Sequence, residues 1–163
     1  MALWKDASGG IHDDADGSAL DLPSWPQGLT QITQAQADAL NAPTPAQVKI
    51  NQWEAIKAKR DLLTDQGGYQ VGTKWFHSDQ KSRSQQLGLV IMGANIPSGL
   101  KWKTMDGSFV TMTATLAGQI LGAAAASDMA IFAVAETHSA AMQASKTPAT
   151  YDFSTGWPVT FLG

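Results

Sequence analysis

The chain contains no cysteine among its 163 residues. This absence excludes disulfide bonds, zinc sites with thiolate ligands and catalysis by a cysteine nucleophile. A protein without cysteine is consistent with assembly in a reducing cytosol.

Charged residues are scarce as well. They make up 15% of the chain, against about 25% in a typical globular protein. The 11 Lys and Arg residues are scattered, and their densest run, Lys57, Lys59 and Arg60, also has acidic neighbours. Since nucleic-acid binding needs a concentrated basic surface, we expect no nucleic acid among the partners of this chain.

Long hydrophobic runs are missing. Residues 1–6 lack a basic segment followed by an apolar one, so they do not predict a secretory leader. The most apolar stretch, residues 116–135, is interrupted by Gln119, Ser127 and Asp128 and consists largely of Ala and Gly. We therefore expect no insertion into a membrane.

The residues that ligate metals do not occur in the spacings that metal sites use. His12, His77 and His138 lie in different predicted elements, and no pair has the spacing of a zinc motif. The acidic run at residues 13–17 resembles the start of a calcium loop, but Pro23 then falls where a bidentate Glu is expected. We predict an acidic turn there and no metal site.

Motifs for phosphate binding and for nucleophilic catalysis are also incomplete. Residues 67–74 contain glycines and a Lys, yet Thr73 precedes Lys74 instead of following it. Ser78 and Lys81 match the short S-x-x-K pattern without its usual partner motifs, and Asp79 suits a helix start better. We expect no enzyme activity, no catalytic residues and no cofactor.

The first part of the chain has its own pattern of turns. Two β-prone segments, residues 3–5 and 10–12, flank a polar connection with glycine, which predicts a hairpin. Residues 22–29 place two prolines and a glycine around Trp25, which predicts a loop anchored by that Trp. A short helix is then predicted at residues 33–40, capped by Thr33.

A linker is predicted at residues 41–45, because two prolines occur there within three positions. It divides the chain into a small N-terminal β/loop module, residues 1–44, and a larger domain, residues 45–163. The prolines stiffen the connection, so we expect the two modules to be separable in space.

The larger domain alternates helices with hairpins. The predicted order is an amphipathic helix, a hairpin, a second helix, an Asp-Gly hairpin and a long Ala-rich helix, at residues 46–63, 69–76, 80–92, 101–112 and 113–145. Asp106-Gly107 predicts a type I′ turn, in which Gly accepts a positive φ. Because no βαβ alternation occurs, the pattern predicts an α+β fold.

Aromatic residues are the main candidates for core and contact surfaces. We predict that Trp53, Trp75 and Trp102 belong to the core. The candidate partner-binding residues, which lie in the N-terminal module and the C-terminal tail, are Trp4, Trp25, Phe153, Trp157 and Phe161. Small residues from Gly118 to Ala126 would let another backbone approach closely.

Most of the larger domain resembles a known family. The segments that carry the likeness are Arg60-Asp61, Gly67-Gly68-Tyr69-Gln70-Val71-Gly72, Phe76-His77-Ser78-Asp79, Trp102-Lys103-Thr104-Met105-Asp106-Gly107 and Tyr151-Asp152-Phe153-Ser154-Thr155-Gly156-Trp157-Pro158. From Trp53 to Trp157, the chain resembles a domain of unknown function that is common in tailed bacteriophages and prophages. Residues 4–6 and 22–29 more loosely resemble N-terminal modules of proteins associated with phage tail fibres.

The resemblance implies a place in the phage more than a mechanism. Proteins of that family are typically encoded among tail and tail-fibre genes, without an assigned catalysis. It implies a structural or assembly component of the tail, associated with the fibre or baseplate, located in the virion and assembled in the host cytoplasm. A transient fibre-assembly chaperone and a module that binds host-surface glycans remain alternatives. In each case the expected partner is a tail protein or a further copy of the chain.

Overall fold

The computed structural model describes residues 2–14 and 24–161 of the chain. They form two compact units, Met1–Ala46 and Gln47–Gly163. Most of the predicted acidic turn and the first residues of the predicted Trp loop lie outside the described residues.

The first unit contains a three-stranded antiparallel sheet. Its strands are β1 (Ala2–Lys5), β2 (Ile11–Asp14) and β3 (Thr30–Ile32), in the order β2-β1-β3. The predicted hairpin is confirmed as β1 and β2, which pair Trp4 with His12. Sequence analysis missed β3, because three residues are too few to show an alternating pattern.

One carboxylate organises the turn between β1 and β2. An oxygen of Asp6 accepts hydrogen bonds from the backbone N–H groups of Ser8 and Gly10 at 2.8 and 2.9 Å. The other oxygen lies 2.7 Å from Nε2 of His12. These bonds, with His12 contributing most, hold the pKa of Asp6 well below its ordinary value.

Helix α1 (Gln34–Asn41) begins at the predicted cap. The Thr33 hydroxyl accepts from the backbone N–H of Gln36, and the Gln36 side chain accepts from the backbone N–H of Thr33. This reciprocal capping box satisfies two N–H groups that the helix itself leaves without partners.

The second unit has the predicted α+β order. Its elements, in chain order, are α2 (Pro45–Gln66), β4 (Tyr69–Val71), β5 (Lys74–Phe76), α3 (Gln80–Met92), β6 (Lys101–Lys103), β7 (Phe109–Thr111) and α4 (Ala114–Ala144). Helix α2 begins two residues before Gln47, the first residue of the unit. The strands form two antiparallel pairs, β4-β5 and β6-β7. Thr113 caps α4 by accepting from the backbone N–H of Leu116.

The two hairpins of this unit use different turns. In the first, Gly72 and Thr73 form a two-residue connection in which only Gly72 has a positive φ, 61°. That sign pattern is the one expected of a type II′ turn.

In the second hairpin, β6 and β7 pair as predicted, but the type I′ turn is wrong. The connection is five residues long, Thr104 to Ser108, and only Gly107 has a positive φ, 82°. A type I′ turn needs positive φ at both central residues. Here Asp106 instead accepts hydrogen bonds from the hydroxyls of Thr104 and Ser108, which favours the longer loop.

Helix α4 lies against both hydrophobic clusters of the second unit. The first cluster joins it to α3 and to strand residues, and consists of Tyr69, Phe76, Leu89, Met112, Ala117, Ile120 and Ala124. The second joins it to α2 and consists of Ile56, Ala135 and Met142. Trp53, Trp75 and Trp102 are all half-buried, and Trp53 and Trp102 pack at the margins of these clusters. The prediction that they form the core is therefore only partly right.

Helix α4 is also the one helix among the described residues whose length and composition would suffice to cross a membrane. In its most apolar stretch 22% of the residues are buried, and one helix of this kind is weak evidence for a membrane span.

The Asp106 carboxylate allows a test of the second hairpin. Lys74, Thr104 and Ser108 all bond to it and hold its pKa well below the ordinary value, with Lys74 contributing most. A lowered pKa stabilises the fold above the ordinary Asp pKa, and this stabilisation is lost as the pH falls toward the folded-state pKa.

We therefore expect Asp106→Asn to lower the melting temperature at pH 7 and to leave it unchanged in strong acid. Calorimetry across the acid range measures the difference in melting temperature between the variant and the wild-type chain. Glu136→Gln, at an exposed position of α4, is the control. A difference that is constant with pH would contradict this account.

Candidate functional site

Arg83 connects three parts of the second unit. Its Nε donates to the backbone oxygen of Ser78 at 2.6 Å, and Nη2 donates to the backbone oxygen of Thr64 at 2.8 Å. Its Nη1 and Nη2 donate to the two oxygens of Asp128 at 2.7 and 2.9 Å. One planar side chain on α3 thus binds the end of α2, the segment before α3 and the middle of α4.

A second polar chain begins beside this cation. The Arg83 guanidinium lies 5.5 Å from the ring centre of Tyr69. The Tyr69 hydroxyl donates to Gln86, whose amide donates to the backbone oxygen of His77 at 3.0 Å. Burial raises the pKa of Tyr69, so this hydroxyl remains a donor at neutral pH.

An open cavity of about 270 Å³ lies next to Arg83. Its lining residues are Thr64, Asp65, Ser78, Gln80, Arg83, Asp128 and Phe132. The Arg83 guanidinium already makes four hydrogen bonds and its charge faces Asp128. It therefore serves as a structural clamp and offers little to an anionic ligand.

The S-x-x-K residues serve the fold. Ser78 is buried, and its hydroxyl accepts from the backbone N–H of Gly68 at 2.9 Å. Asp79 caps α3 by accepting from the backbone N–H of Ser82. The bonds from Ser82 lower the pKa of Asp79. These contacts show that Ser78 and Asp79 hold the start of α3 to the end of α2 and to the helix's own first turn.

His12 lies in the first unit, and His77 and His138 lie in the second. His12 bonds to Asp6 in the first unit. Nε2 of His138 donates to the backbone oxygen of Thr155, because a carbonyl only accepts, and its Nδ1 accepts from the Tyr151 hydroxyl. Within residues 2–14 and 24–161, no three His, Asp or Glu side chains are grouped closely enough to hold a metal ion.

The C-terminal tail, residues 145–161, packs along α2 and α4. Phe153 and Trp157, two predicted partner-binding residues, lie against the cluster of Ile56, Ala135 and Met142. The Trp157 indole donates to the backbone oxygen of Phe153 at 2.7 Å. This packing accounts for both aromatic residues within the chain itself.

Three long-range hydrogen bonds hold this tail and the end of α4 to α2. Side chains of α2 donate to backbone oxygens: Lys49 to Gln143, Gln52 to Tyr151 and Lys59 to Ser154, at 2.9, 2.8 and 2.8 Å.

Near the end of the tail, the backbone N–H of Phe161 donates to Gly67 at 2.8 Å. The Phe161 ring remains 38% exposed. Of the three candidates in the tail, it is the one most available to a partner.

The two candidates of the first unit, Trp4 and Trp25, are half-buried. The ring of Trp25 lies edge-on to His12, with the centroids 5.7 Å apart. The indole nitrogens of both Trp residues are buried without a hydrogen-bond partner among the described residues. Sequence analysis assigned both Trp residues to the N-terminal module, but it could not show that their indole nitrogens are buried.

Sequence analysis missed the largest exposed apolar side chains of the helices. Met129 and Phe132 on α4 are 74% and 46% exposed, and Ile91 on α3 is 78% exposed. The signal was present in α4, because an apolar helix that buries one stripe must leave the rest outside. The predicted small-residue surface from Gly118 to Ala126 is continuous with Met129 along that helix.

Comparison with protein families identifies the second unit. A family model described as a domain of unknown function, DUF4376, matches residues 47–155, so the chain belongs to this family. The match contains α2 from Gln47 onward, both hairpins, α3, α4 and the tail as far as Thr155. No curated protein and no solved structure matches the chain. The predicted resemblance to a domain of unknown function is confirmed.

The clamp predicts a large loss of stability when its cation is removed. Arg83→Met leaves Asp128 and two backbone oxygens without their donor, so we expect the free energy of unfolding to fall by about 2–4 kcal/mol. The free energy of unfolding of Arg83→Lys should lie between those of the wild-type chain and Arg83→Met, since an ammonium cannot form the paired bonds to Asp128. Urea denaturation measures both. Lys81→Met, two positions away and exposed, is the control and should change the free energy of unfolding by less than about 0.5 kcal/mol.

The tail packing predicts a difference between two of its apolar residues. Trp157→Ala removes a ring that packs on the second cluster, so we expect a loss of about 2–4 kcal/mol. Val159→Ala, at a side chain that is 81% exposed, should cost less than about 0.5 kcal/mol. Thermal unfolding of both variants checks this. Equal effects would mean that Trp157 is not held as described.

Proposed function

We propose that this chain is a non-enzymatic structural or assembly component of a bacteriophage tail, associated with the fibre or baseplate. Its partner is a tail or fibre protein, and it is located in the virion after assembly in the host cytoplasm. The family match supplies a domain without an assigned activity, so the proposal depends on the resemblance and on the chemistry of the surface.

The resemblance supports the location. The quoted segments from Arg60 to Pro158 are similar to domains encoded among phage tail genes. In the structure these segments occupy helix ends, hairpins and the packed tail. They form part of the scaffold of the second unit, which is consistent with a structural component.

The polar chemistry of the second unit supports a role without catalysis. Arg83, Ser78 and Asp79 are each engaged in bonds that hold backbone or cap a helix. His138 is engaged at both ring nitrogens. A catalytic group needs a free, positioned atom, and these candidates have their polar atoms committed.

The exposed apolar surface carries the proposal of an assembly role. Large apolar side chains are exposed on all three helices of the second unit, including Ile50 on α2, Ile91 on α3 and Met129 on α4 at 52%, 78% and 74%. Exposed apolar side chains of this size are available for protein–protein contacts. A tail component, which works inside a multiprotein particle, would cover such surface.

Virion analysis tests the proposal. We expect antibodies against the purified chain to detect it in gradient-purified phage particles and to label the tail in immunogold micrographs. Deleting its gene should yield particles with defective tails or fibres. Presence in the lysate but absence from particles, with the same defect, would indicate a transient assembly chaperone instead of a virion component.

The deletion strain complemented with the wild-type chain is the control for effects on neighbouring genes. Normal tails and infectivity after deletion, together with absence from the particle, would overturn the proposal.

A further inference from the structure

Strand β6 has one edge that β7 does not cover. Within the hairpin, the backbone N–H of Thr104 donates to the backbone oxygen of Ser108 at 2.9 Å. Bonded and non-bonded pairs alternate along an antiparallel ladder. The backbone N–H and C=O groups of Lys103 and Lys101, one and three positions earlier, therefore point away from β7. The strands of the described residues include no second neighbour for β6, so these groups lie at a free edge.

The chain of β5 approaches this edge at one point and then leaves it. The backbone N–H of Met105, two positions beyond Lys103, donates to the backbone oxygen of Trp75 at 2.9 Å. After His77 the chain turns into α3. The edge of β6 is thus next to β5 at Met105 and separates from it toward Lys101.

An open cavity of about 260 Å³ lies where the two segments separate. Its lining residues come from β6, from the first half of α3 and from the segment before α3, and are Lys101, Trp102, Lys103, Ser82, Gln85 and His77. The free backbone groups of β6 are therefore beside a space that another extended chain could enter.

The charge of the cavity has one sign. None of the lining residues, all within the described part of the chain, is acidic. Lys101 and Lys103 are exposed, and neither forms an ion pair with a described residue. The ammonium of Lys101 donates to the uncharged hydroxyl of Thr111. Asp79, which bonds to the cavity residue Ser82, is engaged as the cap of α3. The edge is therefore complementary to acidic side chains.

The wall of the cavity also contains a donor without an acceptor. Trp102 alternates with the two lysines along β6 and packs against the first hydrophobic cluster. Its Nε1 is buried and has no hydrogen-bond partner within residues 2–14 and 24–161. A buried donor without a partner costs about 1–3 kcal/mol. A polar segment in the cavity could supply the acceptor that the chain itself does not.

We propose that β6 binds an extended acidic segment of a partner protein, which adds to the β6–β7 hairpin as a third strand. The backbone of the segment pairs with the free groups of Lys101 and Lys103, and its alternate side chains lie beside the two ammonium groups. This inference rests on the proposed assembly role for the source of the segment, a tail or fibre protein.

A second copy of the chain fits this edge less well. Antiparallel pairing of β6 with β6 of another copy would place lysines opposite lysines, and like charges in that position destabilise a sheet. Lysine on an exposed edge commonly prevents such pairing. That protective role by itself needs no cavity beside the strand, whereas an added acidic strand uses the cavity, the charge and the free backbone groups together.

Fluorescence anisotropy with the purified chain tests the binding. The probe is a labelled peptide with blocked ends, Thr-Glu-Val-Glu-Val-Thr, whose two Glu side chains lie on one face of a strand. We expect saturable binding that weakens as the salt concentration rises. The same peptide with Lys in place of both Glu residues should bind more weakly by about tenfold or more.

Two variants of the chain test the location. Lys103→Glu replaces an attraction by a repulsion, so we expect the affinity for the Glu peptide to fall by about five- to tenfold. Lys146→Glu makes the same change of charge at an exposed position outside the cavity, and should alter the affinity by less than about twofold. Circular dichroism verifies that both variants fold. Equal effects of the two variants would show that only the net charge matters and would overturn the site.

Methylation of the peptide backbone tests strand addition. The N–H groups of alternate residues point to opposite edges of a strand, so only one set can bond to β6. One peptide is methylated at the amide nitrogens of both Glu residues and a second at those of both Val residues. We expect one of the two to lose binding and the other to retain it. The loss of binding by both peptides, or by neither, would contradict strand addition.

Absence of saturable binding at concentrations of the chain up to about 1 mM would mean that the lysines only protect the edge, and would overturn the proposal. So would tighter binding of a single-stranded oligothymidylate than of the Glu peptide. None of these results bears on virion location, so this proposal and the tail assignment can fail separately.

Discussion

The second unit is held together at Arg83, because this one side chain bonds to Thr64 on α2 as well as to Asp128 on α4, and so links α3 to α2, which neither hydrophobic cluster joins directly. The first cluster joins α3 to the N-terminal half of α4, and the second joins α2 to the C-terminal half. Arg83 lies where these halves meet, and its remaining donors hold the end of α2 and the segment before α3. The paired bonds to Asp128 are compatible with one alignment of α3 on α4, because both oxygens of the carboxylate accept from the planar guanidinium. The hairpins and the tail pack onto this frame of helices.

Much of this frame could be predicted from residue patterns, because its helices begin and end at strong local signals. Thr33, Asp79 and Thr113 each cap a helix through their side chains, and caps of this kind are visible in the sequence. The hairpins could be predicted because their β-prone segments flank turn residues such as glycine. The type I′ turn was not correct, because hydrogen bonds from Thr104 and Ser108 to Asp106 compete with the local preference of Asp-Gly, and their geometry depends on the folded loop.

The candidate site could be predicted less well, because its character depends on contacts between residues far apart in the chain. Sequence analysis assigned Ser78 and Asp79 to a helix start and not to catalysis, but only the fold shows the Ser78 hydroxyl bound to Gly68. Arg83 and Asp128 are 45 positions apart, and no spacing rule relates them. Trp157 is a candidate partner-binding residue, and only the fold shows that it also packs on the second cluster. Burial of this kind follows from tertiary packing, which a single sequence does not display.

The bonds between α2 and the tail have a consequence for synthesis on the ribosome. Their partners are separated by 94 to 99 residues, so α2 must wait until almost the whole second unit has been translated before it can dock. Until then Ile56 remains in contact with solvent or with a chaperone. The first unit has no such delay, because β1 pairs with strands that end by Ile32. The two units should therefore acquire their structures at different times during translation, with the N-terminal sheet complete while α2 is still waiting for its partner.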